Sequence, residues 1–149
     1  MQSKEPKIVI ALKAARLAAK EILKFSRRMD KVKIYEKGPT DFVTQVDRIA
    51  ENIIISSISE SFPDSAFICE ESGKSGKEKS DLVWVIDPID GTTNFIHGFP
   101  YYSISIACYE KDVLSHGIIY DITRDDEYFA SKGKGAVSYT HLRAHETNS

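Results

Sequence analysis

Cysteine is scarce in this chain: two residues in 149, too few for a disulfide framework. Cys69 and Cys108 each sit inside an apolar run, so both are expected to be buried, reduced thiols of a cytoplasmic protein. Proline and glycine number only 5 and 8, which excludes a low-complexity or collagen-like chain. Long hydrophobic runs are missing as well. The apolar positions near the N-terminus are broken every few residues by Lys or Arg, so neither a secretory h-region nor an 18-residue membrane span is expected. No charge sign dominates: 20 Lys+Arg face 22 Asp+Glu, a net charge of −2, which removes the case for a globally basic, nucleic-acid-coating protein. What remains, 42% hydrophobic and 28% charged, is the composition of one ordinary globular unit. A domain of this size buries roughly 70% of the surface its unfolded chain exposes, enough to need no disulfide.

Charge is unevenly spread. Up to Lys37 there are eleven Lys or Arg against four Asp or Glu, and the acid is concentrated in the rest. Ile8, Leu12, Ala15, Ala19 and Ile22 recur at helical spacing, with Lys13, Arg16, Lys20 and Lys24 on the other side, predicting a helix over 5–28 whose cations are solvated. Residues 31–35 alternate like a short edge strand, stopped by Lys37-Gly38-Pro39. Thr44 can cap a second helix through Ser59, with Val46, Ile49, Ile53 and Ile58 as its buried stripe. After Phe62-Pro63-Asp64 the texture turns to strands at 66–69 and 82–86, separated by a polar loop at 72–80. A short helix at 92–96 and a meander of strands at 102–109, 113–120 and 127–130 follow, and Gly133 and Gly135 lead into another strand. Helices first, then strands mixed with turns, indicate a layered α/β domain.

The chemistry concentrates in Trp84-Val85-Ile86-Asp87-Pro88-Ile89-Asp90-Gly91-Thr92-Thr93-Asn94-Phe95. Asp87 ends a continuous apolar run that reads as a strand covered on both faces. Pro88 stiffens the bend after it, so Asp87 and Asp90 can converge. Gly91 admits a close ligand, and Thr92-Thr93 open a helix whose first N–H groups have no internal partners. Such a segment can place a cation site of hard oxygens, suited to Mg²⁺, beside an anion site. Asp90-Gly91 is equally a hairpin-turn signal. A second acidic pair, Glu70-Glu71, also ends a predicted strand. If the two strands are neighbours, Glu70, Asp87 and Asp90 meet at one sheet edge, and a metal is the natural way to stabilise three such carboxylates. Asp47 alone reads most simply as an acid in the first turn of the helix capped by Thr44. His141 and His145 have the i, i+4 spacing of a metal pair but no third ligand nearby, and a frayed tail is the simpler reading.

Asp87-Pro-Ile-Asp-Gly-Thr-Thr-Asn94, preceded by Trp84-Val-Ile and followed by Phe95-Ile-His-Gly-Phe-Pro100, closely resembles the inositol monophosphatases. Glu70-Glu71-Ser72 upstream, Lys37-Gly-Pro-Thr-Asp-Phe-Val-Thr-Gln-Val-Asp47, Ile119-Tyr-Asp121 and Gly133-Lys-Gly-Ala136 extend the resemblance in consistent order. It implies the N-terminal portion of an alternating α-β-α-β-α sandwich of the inositol monophosphatase and fructose-bisphosphatase type. It also implies a Mg²⁺-dependent, lithium-sensitive hydrolase of phosphate monoesters, with inositol monophosphate as the expected substrate and two or three metals activating water. By the same resemblance Glu70, Asp87 and the carbonyl of Ile89 would hold one Mg²⁺, and Asp87 and Asp90 a second. Thr92 and Asp47 would orient and deprotonate the attacking water, and the N–H groups of Gly91 and Thr92 would receive the phosphate. Neither nucleic acid nor membrane is required, and a full-length parent is expected to be a homodimer.

The resemblance stops near Val137. Family members are about twice this length, and their second half supplies a further Asp ligand and the groups that grip the inositol ring. Residues 1–137 are therefore expected to be the metal-binding part of the fold and 138–149 an unrelated tail from truncation or a sequence artefact, with poor activity in this chain alone. Two rival readings remain: a catalytically silent module binding protein or RNA through its basic first helix, and a superfamily phosphatase acting on a sugar bisphosphate or a nucleotide.

Overall fold

In the computed structural model, residues 5–28 and 39–140 are described. Two long helices, α1 (Pro6–Arg27) and α2 (Pro39–Ser61), lead into strands β1 (Ala66–Cys69), β2 (Gly73–Gly76) and β3 (Leu82–Asp90). Helix α3 (Thr92–His97) is followed by strands β4 (Ser103–Glu110), β5 (Val113–Asp121), β6 (Asp126–Ser131) and β7 (Gly135–Thr140). The strands form one seven-stranded sheet in the order β2-β1-β3-β4-β5-β6-β7. β1 and β3 are parallel and every other pair is antiparallel. The helices pack on each other and against the sheet, so the mixed α/β architecture expected from the sequence is present.

The core lies between the two helices and one face of the sheet. α1 contributes Ile8, Leu12, Ala15, Ala19 and Ile22, and the sheet answers with Phe67, Trp84, Ile86, Ile104, Ile106 and Ile118. Trp84 is 1% exposed, and its ring N–H donates to Ser65 Oγ at 3.0 Å, so the indole is buried with its one polar group satisfied. Cys69 and Cys108 are buried free thiols, and burial pushes them up to about 11 and about 12, which keeps them protonated and inert at neutral pH.

Several elements differ from their sequence expectation. Helix α2 begins at Pro39, so Thr44 lies inside it and does not cap it; proline suits a first turn, where its missing N–H costs nothing. The buried stripe of α2 is Val46, Ala50, Ile54 and Ile58, with Ile49 and Ile53 only half-buried, because an i, i+4 row leaves the other isoleucines on the flank. Residues 73–76, expected as loop, form β2: the pairing with β1 is made by main chain and needs no apolar side chains. β3 continues through Pro88 to Asp90 with a register shift between Asp87 and Asp90, so the bend after Asp87 is an irregularity in a longer strand. Strand β7 pairs with β6 as far as Thr140 opposite Asp126, three residues into the stretch read as tail. The strand expected at 31–35 and the histidines at 141 and 145 fall outside the described residues.

One partly exposed cation of α1 also has a buried partner. Arg16 reaches the sheet and pairs with Glu127 of β6, a carboxylate with no solvent exposure. Removing one partner of such a pair strands the other: Arg16→Leu is expected to cost about 3 kcal/mol in urea-unfolding free energy, whereas Lys13→Leu, at an exposed position, should change it by under ~0.5 kcal/mol.

Candidate active site

The parallel pairing of β1 with β3 sets Cys69 opposite Ile86, so the next residue of each strand, Glu70 and Asp87, emerges at the same edge. This is the neighbour relation the acidic pairs required. Asp87 is half-buried and Glu70 exposed. Burial, then the charge of Glu70, a hydrogen bond shared with Glu70 and the charge of Asp90 push the Asp87 carboxyl up to about 6. Its Oδ1 is buried without a hydrogen-bond partner.

Asp47 arrives from the other side, carried by α2. It is 6% exposed, and its Oδ1 is also buried without a partner. Burial first, then the charges of Glu71, Glu51, Glu70 and Asp87, push this carboxyl up to about 7. Asp47 is therefore a group of the strand-end cluster, not the exposed first-turn acid that its position beside Thr44 suggested.

Asp90 is exposed and reaches the cluster through its charge on Asp87. Ile89 is buried, and its carbonyl accepts the Thr92 hydroxyl at 3.2 Å. Gly91 is the residue before α3, at φ 99°, so Asp90-Gly91 makes a strand-to-helix corner and not a hairpin turn. A Cβ on Gly91 would lie 2.7 Å from the Tyr101 carbonyl oxygen, the same oxygen that accepts from Asn94 Nδ2 at 2.9 Å. Gly91→Ala meets both the left-handed backbone and that contact, and is expected to cost about 2–4 kcal/mol of stability in denaturant unfolding.

The candidate ligands are all hard oxygens, and the Asp87 Oδ1 among them is buried and unsatisfied, as is Oδ1 of the neighbouring Asp47, which suits a divalent cation such as Mg²⁺. The cage is not closed as the side chains stand: among the described residues no three His, Cys, Asp or Glu groups are gathered to hold an ion.

Sequence reasoning missed Glu51. This carboxylate has no solvent exposure and accepts two backbone N–H groups, from Glu71 at 3.0 Å and Ser72 at 3.1 Å. The available signal was its spacing: Asp47 and Glu51 are i, i+4, beside the buried row Val46, Ala50 and Ile54.

A two-helix layer on a mixed sheet, with a carboxylate cluster where parallel strands end beside a short helix, defines an α/β protein with a candidate cation site at its sheet edge. The family model for the inositol monophosphatase family matches residues 3–149, and the chain belongs to that family. It is 44% identical over 135 residues to Nus factor SuhB of Pseudomonas aeruginosa, covering 89% of this chain and 50% of that protein. Inositol monophosphatase II from Staphylococcus aureus MSSA476 superposes with a TM-score of 0.70 at 32% identity, covering 87% of this chain and 47% of that one. The inositol monophosphate-bound SaIMPase-II gives a TM-score of 0.72 at 28% identity, with 90% and 47% covered. The chain spans about half the length of the relatives it matches.

Proposed function

We propose that the chain carries the metal-binding part of a Mg²⁺-dependent phosphatase whose substrate is a phosphate monoester, inositol monophosphate foremost. The observation that carries this reading is the pair of buried, unpartnered carboxylate oxygens, Asp47 Oδ1 and Asp87 Oδ1, amid further carboxylates at one sheet edge. Family membership and the inositol monophosphate bound to a structural relative support the substrate class. Glu70, Asp87, Asp90 and the Ile89 carbonyl would hold Mg²⁺ here. Bound, the cation supplies positive charge to the phosphoryl oxygens and makes water acidic enough to attack near neutral pH.

The protein's own groups do the rest. Asp47, whose affinity for a proton is already raised, accepts the proton of the attacking water, and Thr92 orients that water through its hydroxyl. The backbone amides of Gly91 and Thr92, at the start of α3, receive the phosphate. Phosphate monoesters hydrolyse extremely slowly in water, so positioning and charge stabilisation must supply a very large barrier reduction.

The test is Mg²⁺-dependent phosphate release from inositol monophosphate, measured for this chain and for a chimera extended with the remainder of the Staphylococcus aureus enzyme. The extended protein should turn over, and Asp90→Asn should abolish turnover while leaving the circular dichroism unchanged. Turnover indifferent to Mg²⁺, or to Asp90→Asn, would contradict the reading. A binding module without turnover is favoured by the basic face of α1, where Lys13, Lys20 and Lys24 are exposed beside Arg16, and by the Nus factor name of the Pseudomonas aeruginosa relative. It would show as salt-sensitive association lost when those lysines are neutralised.

A further inference from the structure

The loop joining β1 to β2 consists of Glu70, Glu71 and Ser72, with Cys69 paired to Gly73 across it. Gly73 adopts φ 73°, the left-handed residue that closes a three-residue hairpin. The turn is thus closed by its own main chain. Yet α2 sends a carboxylate with no solvent exposure, Glu51, to bind two of its amides. Among the described residues the partners of Glu51 are those amides and no cation. Among the described residues no cation offsets this buried charge, a costly arrangement if all it did were to fasten a turn.

What the contact does achieve is direction. One helical turn separates Asp47 from Glu51, so the same stretch of α2 presents Asp47 to the cluster and grips the corner that carries Glu70. With the N–H groups of Glu71 and Ser72 turned toward α2, the Glu70 carboxylate is held beside Asp87.

We propose that Glu51 is a positioning residue for the cation site, locking the Glu70–Ser72 corner onto α2 so that Glu70 and Asp47 keep a fixed relation to Asp87. The proposal rests on the reading that these carboxylates hold a divalent cation. Both oxygens of Glu51 are taken up by the two amides, so it stands outside the proposed ligand set. Gln at this position keeps one acceptor oxygen but turns an NH₂ donor toward one of the two amides, releasing the corner while preserving side-chain volume. Supporting groups of this kind change metal affinity roughly 10–100-fold when removed.

The experiment titrates Mn²⁺, as probe for Mg²⁺, into the 149-residue chain and reads free Mn²⁺ by electron paramagnetic resonance. Wild type, Glu51→Gln and Glu127→Gln are compared, with thermal unfolding of each metal-free protein measured in parallel. Glu127 is an equally buried carboxylate in β6, three strands from β3, so its variant reports what loss of core stability alone does. Glu51→Gln is expected to weaken Mn²⁺ binding at least ~10-fold, and Glu127→Gln to leave it unchanged. A folded Glu51→Gln with wild-type affinity overturns the proposal, as does an equal loss in Glu127→Gln. Should Glu51→Gln fail to fold, Ser72→Pro, which deletes one of the two donors at an exposed position, decides in its place: weakened binding supports the clamp and unchanged binding refutes it. Absence of Mn²⁺ binding in the wild type strikes at the underlying cation site instead, so the two failures are told apart.

Discussion

Asp87→Asn is expected to lower turnover by on the order of 10³-fold in any form of the protein that hydrolyses inositol monophosphate, while raising the stability of the metal-free chain at pH 8. The opposite signs come from one cause. Asp87 is half-buried, pushed up to about 6 by burial and by Glu70 and Asp90, so ionising it at pH 8 costs the folded state free energy that the unfolded chain does not lose. Asparagine keeps the shape, removes the charge and can donate to Glu70. Solvent still reaches this carboxyl, which limits the gain to about 1 kcal/mol. The loss of activity follows because the same carboxylate is the one that shares its environment with Glu70, Asp90 and Asp47. Groups tuned for function at a cost in stability behave this way. The measurement pairs urea unfolding in EDTA with phosphate release in Mg²⁺. Destabilisation together with retained turnover would show that Asp87 is a structural carboxylate and not the centre of the site.

Much of the fold was legible because it rests on periodic burial. The helix expected over 5–28 appears as Pro6–Arg27, since its apolar row and Pro6 fix both face and start. The strand ending in Cys69 and the one entering Asp87 were visible as apolar runs, and their adjacency, the step on which the site depended, is realised by parallel pairing. Elements without a hydrophobic signal were not legible. β2 is built of Gly73, Lys74, Ser75 and Gly76, all exposed, and exists because main-chain groups of β1 needed a partner. The β4–β5 turn was legible from the strands on either side of it, although Lys111 and Asp112 both adopt positive φ there without a glycine to announce it. Glu51 and Glu127 were invisible for the opposite reason. A carboxylate is normally read as exposed, and only the fold supplies the amides and the arginine that let each be buried. The carboxylates that meet at the sheet edge were legible as motif, while Asp47 and Glu51 came from α2, whose buried face was misjudged by one position at Ile49 and Ile53.

The same cluster sets the pH dependence of stability. Asp47 and Asp87 have folded-state values of about 7 and about 6 against 3.8 for a free side chain, so between pH 4 and pH 7 the folded chain binds more protons than the unfolded one. Stability conferred by that uptake is present at the acidic end of the window and is lost as pH rises through 6 and 7. Glu5 and Glu110 work in the other direction: lysine partners hold both below the usual carboxylate range, so their contribution disappears only below about pH 4.5. The metal-free chain should therefore be most stable near pH 5. After allowance for residual solvent around the carboxylates, it should lose about 2 kcal/mol by pH 8, a fall of roughly 5 °C in Tm. A cation competes with those protons, so millimolar Mg²⁺ should raise Tm at pH 8 and leave it nearly unchanged at pH 5, flattening the profile. Scanning calorimetry at the two pH values, in EDTA and in Mg²⁺, gives four numbers that decide the matter. A Tm that climbs from pH 5 to pH 8 in EDTA would mean that these carboxylates are not held against their charge, and the force that makes the sheet edge a cation site would be missing.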